Sequence, residues 1–313
     1  MHPNYLISII ILTYNSEKYI SDCINSVYDS NPPEPYEILI IDNNSKDKTF
    51  AIANIKSNTK FFNLPNSDMG MARNYGLSKA QGKYISFLDS DDRYTTKRLE
   101  RHIRILEENY KKDCVIGLAN VYFCDKKETK IKKFTLQKKL TLDDYFSGKC
   151  YSLPAITYRK SFLDKYQLKF DELKRGRYGE DLHFQTICKS SNQNEIFDSN
   201  ISVTIQIRND SHTQWHVQRP CKCLHLIRLI EFKLAGKKVS SLTLIKITLK
   251  YVLSRCFDKS SEFDYLLKKL LKKLSKNHFA IGTFLKMLIL LPKFNIHFVK
   301  SLWNFALRLS YKG

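Results

Sequence analysis

The stretch Gly82-Lys-Tyr-Ile-Ser-Phe-Leu-Asp-Ser-Asp-Asp92 runs an apolar, aromatic and β-branched segment straight into three carboxylates. Tyr84–Leu88 reads as a strand buried on both faces, because such strands show near-continuous apolar runs instead of alternation. Asp89, Asp91 and Asp92 then fall at its carboxyl end. Carboxylates crowded at the tip of a hydrophobic strand repel one another and raise each other's pKa unless a cation relieves them. A divalent metal held by one or two carboxylates together with phosphate oxygens of a ligand is one such relief. Oxygen ligands of this kind suit Mg²⁺ or Mn²⁺. The other reading of the same residues is a solvated turn that caps a helix over Thr95 to Asn109.

The same design recurs toward the N-terminus. Leu6-Ile-Ser-Ile-Ile-Ile-Leu12 is a second doubly buried strand, ended by Thr13-Tyr-Asn-Ser16. Ile20, Cys23, Ile24 and Val27 repeat at helical spacing, and Pro32, Pro33 and Pro35 stop that helix. Glu37–Ile41 is another strand, closed by Asp42-Asn-Asn-Ser45, which is expected to cap a helix over Thr49 to Lys56. Phe61 to Leu64 reads as a short strand. Met71 to Ala80 reads as a helix, stopped by Gly82. Strands separated by helices imply a parallel sheet. Ligands of such sheets sit beyond the carboxyl ends of the strands. Thr13, Tyr14 and Asn15, Asp42 and Asn43, and Asp89 to Asp92 are therefore expected to meet at one rim.

Beyond residue 112 the pattern is less regular. Val115 to Phe123 suggests a strand, and Lys126 to Lys139 a basic exposed loop or hairpin. Tyr178-Gly-Glu-Asp-Leu-His-Phe184 reads as a loop entering a helix. After Trp215 the chain turns to basic amphipathic helices. Phe263, Leu266, Leu267, Leu270, Leu271 and Leu274 fall on one face, and Lys268, Lys269, Lys272, Lys273 and Lys276 on the other. This divides the chain at 1–112, 113–214 and 215–313.

At 313 residues and 43% hydrophobic, the chain can bury one large or two modest cores and is not of disordered composition. Its net charge of +21 points to phosphate-bearing partners: nucleic acid, an anionic membrane face or phosphorylated small molecules. The eight cysteines form no paired CxxC pattern, so zinc is not indicated and reduced thiols in a cytosolic protein are expected. The start of the chain carries neither a basic segment nor a small-residue cleavage site, so no signal peptide is expected. No run reaches the roughly 20 apolar residues of a membrane span.

Four segments occur in order: Ser8-Ile-Ile-Ile-Leu-Thr-Tyr-Asn15, Ile41-Asp-Asn-Asn-Ser-Lys-Asp47, Asn66-Ser-Asp-Met-Gly-Met-Ala-Arg-Asn74 and Gly82–Asp92. Together they resemble a family 2 glycosyltransferase of the GT-A fold, of the bacterial surface-polysaccharide type. The resemblance covers about the first 110 residues and continues more weakly to about residue 212. It implies an α/β fold with a Rossmann-like, mainly parallel central sheet flanked by helices, and a C-terminal helical extension. Residues 1–112 would bind a nucleotide-sugar, and 113–214 would hold the acceptor and the catalytic base.

The resemblance also implies roles. Thr13, Tyr14 and Asn15 would line the base and ribose pocket, with Asp42 and Asn43 bonding the base, expected to be uracil. Arg73 would lie at the donor phosphates, Asp89 and Ser90 at the ribose or sugar, and Asp91 on a Mn²⁺ or Mg²⁺ ion bridging the diphosphate. Two positions depart from the family pattern: Leu12 where proline is frequent, and Asn43 where a second aspartate is frequent. Asn43 offers both donor and acceptor and so does not by itself specify uracil.

Direct displacement at an anomeric carbon needs a base for the acceptor hydroxyl. Relatives commonly carry a Glu-Asp pair before a helix, which points to Asp181, with Glu180 as the alternative. The bland reading of that pair is an acidic helix start favoured by the dipole. His183 is read as an orienting or packing residue. Arg208 and His212 could reach donor phosphate or be plain loop charges. The C-terminal lysines suit either solvent or an anionic membrane surface. Expected partners are a nucleotide-sugar donor and a glycan or lipid-linked acceptor. The expected location is cytoplasmic, with peripheral attachment to the inner membrane face. Two rivals remain. A sugar nucleotidyltransferase would normally show a glycine-rich phosphate loop after the first strand, and none is present. A basic nucleic-acid-binding protein would share the charge but lacks any matching motif.

Overall fold

A computed structural model describes residues 4–54, 58–65, 67–123, 132–134, 139–146, 149–172 and 179–207. The C-terminal amphipathic helices, Arg208 and His212 lie outside the described residues. The chain divides into two compact units, residues 1–139 with 150–214, and residues 140–149 with 215–313.

The first unit is built on strands β1 (Tyr5–Thr13), β2 (Tyr36–Asp42), β3 (Thr59–Asn63) and β4 (Gly82–Asp89). They are joined through helices α1 (Ile20–Asp29), α2 (Thr49–Ala53) and α3 (Met69–Lys79). A two-residue strand β5 (Arg93–Tyr94) and helix α4 (Arg98–Glu108) follow. Then come β6 (Cys114–Phe123) and β7 (Lys132–Phe134). Helix α5 (Leu142–Phe146) belongs to the second unit. Strand β8 (Ile156–Arg159), helices α6 (Lys160–Lys165) and α7 (Glu180–Ser190), and strand β9 (Glu195–Ile207) complete the first.

The strands form one sheet in the order β3-β2-β1-β4-β8-β6-β9-β5, with β7 on β6. The first four are parallel, as read from the sequence. The second half is mixed: β8 runs antiparallel to both β4 and β6, β9 parallel to β6, and β5 antiparallel to β9. The expected, mainly parallel sheet therefore holds for the N-terminal half. The boundary at 112/113 is bridged by hydrogen-bonded strands, because β4 pairs directly with β8.

The core follows the apolar runs. Ile7, Ile9 and Ile11 of β1 and Ile38 and Ile40 of β2 are buried together with Ile20, Cys23, Ile24 and Val27 of α1. Burying such a side chain is worth about 1.5–3 kcal/mol each, so these strands anchor the position of everything at their tips.

Two local expectations need correction. Asp47, rather than the Asp42–Ser45 segment, meets the start of α2: its Oδ1 accepts from the Thr49 amide at 3.0 Å. Gly82 does not stop α3, which ends at Lys79; Gly82 opens β4. A Cβ there would lie 2.4 Å from the Ser8 amide nitrogen, so glycine is what lets β4 close onto β1. Among the described residues no helix is long and apolar enough to cross a membrane.

Candidate active site

Strand register brings three distant segments together. In the parallel pairing Thr13 of β1 stands opposite Asp42 of β2, and Leu12 opposite Asp89 of β4. The loops beyond are stitched to one another. The Asn43 amide donates to the Thr13 carbonyl (2.9 Å) and the Ser90 amide to the Leu12 carbonyl (3.1 Å). The Asn15 amide donates to Ser45 Oγ at 2.8 Å, and the Lys46 amide to Asn15 Oδ1 at 2.9 Å. Ser16 and Ser90 share a hydroxyl–hydroxyl bond of 2.7 Å. Asn15 adopts a left-handed backbone (φ 46°), a conformation asparagine tolerates better than most residues.

Within this rim the side chains differ in what they offer. The Thr13 hydroxyl is buried with no hydrogen-bond partner among the described residues. A buried polar atom left unmatched is costly, and such an atom at a strand tip suits a ligand. Tyr14 is 57% exposed, so it is no core aromatic; its ring stands at the rim. Asp42 is buried and accepts from the Ser45 amide (2.8 Å) and hydroxyl (2.5 Å), which fixes its carboxylate. Asn43 Oδ1 accepts from the Ser67 amide at 3.1 Å. The Ser90 hydroxyl is buried and bonded to Ser16, which joins the loop after β4 to the loop after β1.

The three acidic residues after β4 divide their work. Asp92 is buried and accepts from the Gln206 amide of β9 at 3.1 Å, holding the acidic loop to the far half of the sheet. The Asp89 side chain, 41% exposed, turns to Arg73 at 3.2 Å. Asp91 is half-buried between them in sequence. Among the described residues no group of three or more His, Cys, Asp or Glu could enclose a metal ion. The donor set nevertheless fits a magnesium or manganese ion that keeps most of its ligands from phosphate and water, since such ions need only one or two protein carboxylates.

Arg73 lies beside the strand tip, buried among carboxylates. Its side chain is 2% exposed and faces inward, with Nη1 at 2.7 Å from Glu180 and 3.1 Å from Asp181 and Nη2 at 3.2 Å from Asp89. Burial disfavours its charge, but Asp181, Asp89 and Glu180 outweigh that and hold the guanidinium firmly protonated. All three of its charged partners are protein carboxylates. The sequence reading missed this because α3 has no apolar stripe: its buried positions are Gly70, Ala72, Arg73 and Gly76.

Glu180 and Asp181 open α7 right after Gly179, whose φ of 87° turns the chain into the helix. Glu180 is buried and committed to Arg73. Asp181 Oδ1 is sealed against Arg73, while the side chain as a whole is 34% exposed, so solvent reaches its remaining edge. Burial pushes the Asp181 carboxyl up to about 7; Arg73 opposes the shift, and Glu180 and Asp89 reinforce it. A carboxylate with one open edge and a pKa near neutrality is suited to accept a proton. The neighbouring Cys150 thiol is pushed up to about 12 by burial and by Asp181 and Glu180, so it stays neutral. His183 Nδ1 lies 3.8 Å from Asp171, consistent with an orienting role outside the carboxylate cluster.

The profile of glycosyl transferase family 2 matches residues 8–167, just over half of the chain. The chain belongs to glycosyl transferase family 2. The match spans the rim-forming ends of β1, β2 and β4, and α3. An uncharacterized glycosyltransferase of Haemophilus influenzae is 31% identical over 64% of this chain and 79% of its own length. A candidate teichuronic acid biosynthesis glycosyltransferase of Bacillus subtilis, TuaG, is 33% identical over 44% of this chain and 56% of its own. The GT-A fold is shared with S. aureus TarS. The structure of TarS 1–349 in complex with UDP-GlcNAc aligns with a TM-score of 0.55 at 21% identity, over 87% of this chain and 73% of that one. Another structure of TarS 1–349 aligns with a TM-score of 0.58 at 19% identity, over 85% and 79%. The protein is thus a glycosyltransferase, and membership of this family displaces the nucleotidyltransferase and nucleic-acid-binding readings.

Proposed function

We propose that the protein transfers a sugar from a UDP-sugar to a hydroxyl of a glycan or lipid-linked acceptor in bacterial surface-polysaccharide synthesis, with inversion at the anomeric carbon. The observation that carries this reading is the register that sets Thr13, Asp42 and Asp89 side by side, with Asp181 tied to the same tip through Arg73. The UDP-GlcNAc bound by TarS and the pathway named for the Bacillus relative support the donor and acceptor classes.

In this reading Tyr14 offers its ring to the base, and the Thr13 hydroxyl, Asp42 and Asn43 bond its polar edge or the ribose. Asp89 faces the ribose or sugar. Asp91 would hold a divalent ion, Mn²⁺ or Mg²⁺, which would supply neutralising charge to the departing diphosphate. The acceptor oxygen attacks the anomeric carbon as its bond to the β-phosphate oxygen breaks. UDP leaves with that bonding pair, and the hydroxyl proton passes to Asp181. Attack in line with the leaving group inverts the centre. The lysine-rich sequence beyond residue 215 would bring the enzyme to an anionic membrane surface on the cytoplasmic side, where a lipid-linked acceptor would reside.

The test is a panel of UDP- and GDP-sugars screened with Mn²⁺ for protection against thermal unfolding, followed by nucleotide release. Ligand binding raises the midpoint in proportion to ln(1 + [L]/Kd). A metal-dependent rise with a UDP-sugar is expected. No response to any nucleotide sugar would overturn the reading.

A further inference from the structure

The Arg73 guanidinium is held by side chains from two elements remote from its own. Its partners are Asp89 at the end of β4 and Glu180 and Asp181 at the start of α7. It also lies over the Phe170 ring, 5.4 Å from the centroid. That ring stacks on Phe184 of α7 (3.9 Å, 9° between planes) and meets Phe87 of β4 edge-on at 5.2 Å. The next residue, Asn74, bonds both backbone groups of Phe170, donating to its carbonyl (2.9 Å) and accepting from its amide (2.8 Å). Gly70 completes the contact, since a Cβ there would fall 2.0 Å from the Asp171 carbonyl oxygen.

We infer that Arg73 is a positioning residue: one cation fixes the Asp181 carboxylate at a set distance from the donor-side strand tip at Asp89. The inference rests on the reading of Asp181 as the base. Three features favour positioning over contact with the donor. The guanidinium is enclosed, as its 2% side-chain exposure shows, and all three partners are protein carboxylates. No side chain caps the N-terminus of α7, whose first two side chains bind Arg73 instead. The planar fork can serve Asp89 through one nitrogen and the Glu180–Asp181 pair through the other, which a lysine ammonium cannot do in the same geometry.

The experiment compares wild type, Arg73→Lys and Asp181→Asn in Mn²⁺-dependent release of nucleoside diphosphate, with water as acceptor. The donor is the nucleotide sugar that gives the largest thermal shift. For Arg73→Lys, kcat falls about 100-fold, the scale of an ångström-sized misplacement of a catalytic group, while the donor KM stays within about threefold. Guanidinium ion added to Arg73→Ala restores part of the lost kcat. An unchanged kcat in Arg73→Lys overturns the inference. A parallel loss of donor affinity also overturns it, by making Arg73 a donor contact. Should both Arg73 variants fail to fold, Phe170→Leu removes the ring beneath the guanidinium without touching a charge: the same kcat-only loss supports the inference, and an unaltered kcat overturns it. Wild-type protein that releases no nucleotide, or Asp181→Asn that turns over normally, sinks the transferase or base reading itself. Active wild type, inactive Asp181→Asn and fully active Arg73→Lys sink the positioning role alone.

Discussion

Replacing Asp181 by asparagine keeps the shape of the side chain and removes its capacity to take a proton. The structure sets the size and pH signature of the effect. With its carboxyl raised to about 7, Asp181 is ionised in roughly three-quarters of molecules at pH 7.5 and about a tenth at pH 6. The active fraction therefore falls about eightfold over that interval in wild-type enzyme. The sign is fixed by the chemistry: the base works deprotonated, so the rate rises with pH and levels off above about 8. Asp181→Asn should lose this limb entirely, and turnover should fall by about 10²- to 10⁴-fold, the usual contribution of a positioned base. Donor affinity should be nearly unchanged, because Asp181 is paired with Arg73 and its remaining edge is left open for the acceptor. The assay is initial-rate nucleotide release from pH 6 to 8, paired with calorimetric binding of UDP in Mn²⁺. Turnover within tenfold of wild type, or a variant that keeps the wild-type pH limb, would refute the assignment and move the base to another group.

Three further substitutions probe the other parts of the site. Tyr14→Ala should weaken UDP binding by about 1–3 kcal/mol, the range for an aromatic–base stack, with kcat for bound donor nearly intact; calorimetry showing equal affinity would remove Tyr14 from the pocket. Asp91→Ala should abolish the Mn²⁺-dependent part of donor binding, and a titration with unchanged metal dependence would contradict its role. Gly70→Ala should cost activity out of proportion to stability, since its Cβ would collide with the Asp171 carbonyl and push the Phe170 segment off Asn74 and Arg73. A variant with normal kcat would show that this contact does not govern the base.

The parts of this fold that sequence reveals are those where one physical signal dominates. Strands β1, β2 and β4 are apolar on both faces, and α1 carries a clean stripe at Ile20, Cys23, Ile24 and Val27, so their order and the meeting of their tips could be read directly. Strand β9 was missed because Asp198, Ser199, Asn200 and Ser202 interrupt its apolar residues. Some of those polar groups are matched by partners far away in the chain, such as Ser202 with His102 at 2.9 Å and Asp198 with Arg101 at 3.1 Å. Strand β8 is four residues long and lies between a single 3-10 turn (Leu153–Ala155) and the start of α6, too short for alternation to show.

In the site, residue types were informative and directions were not. Asp89 and Asp91 stand out as candidates by their place at a strand end, and Asp181 through the family resemblance. Nothing local says that Arg73 turns inward to three carboxylates, that the Ser90 hydroxyl is used by Ser16, or that Asp92 secures β9. Those facts depend on contacts across 74 to 114 positions of chain for Ser16–Ser90 and Asp92–Gln206. One signal was available: an arginine flanked by alanine and asparagine, three residues after Gly70 and three before Gly76 in a helix, implies close packing on that face and hence a buried charge in need of acids.

The claim on which the rest depends is that the tips of β1, β2 and β4 form a single donor site facing the start of α7. A crystal structure with UDP and Mn²⁺ tests it most directly. The account requires the uracil at Tyr14 and Asp42, the diphosphate and ion at Asp91, and open space between the β-phosphate and Asp181 large enough for a sugar ring. UDP bound away from these strand tips, or with its β-phosphate directed away from α7, would contradict it.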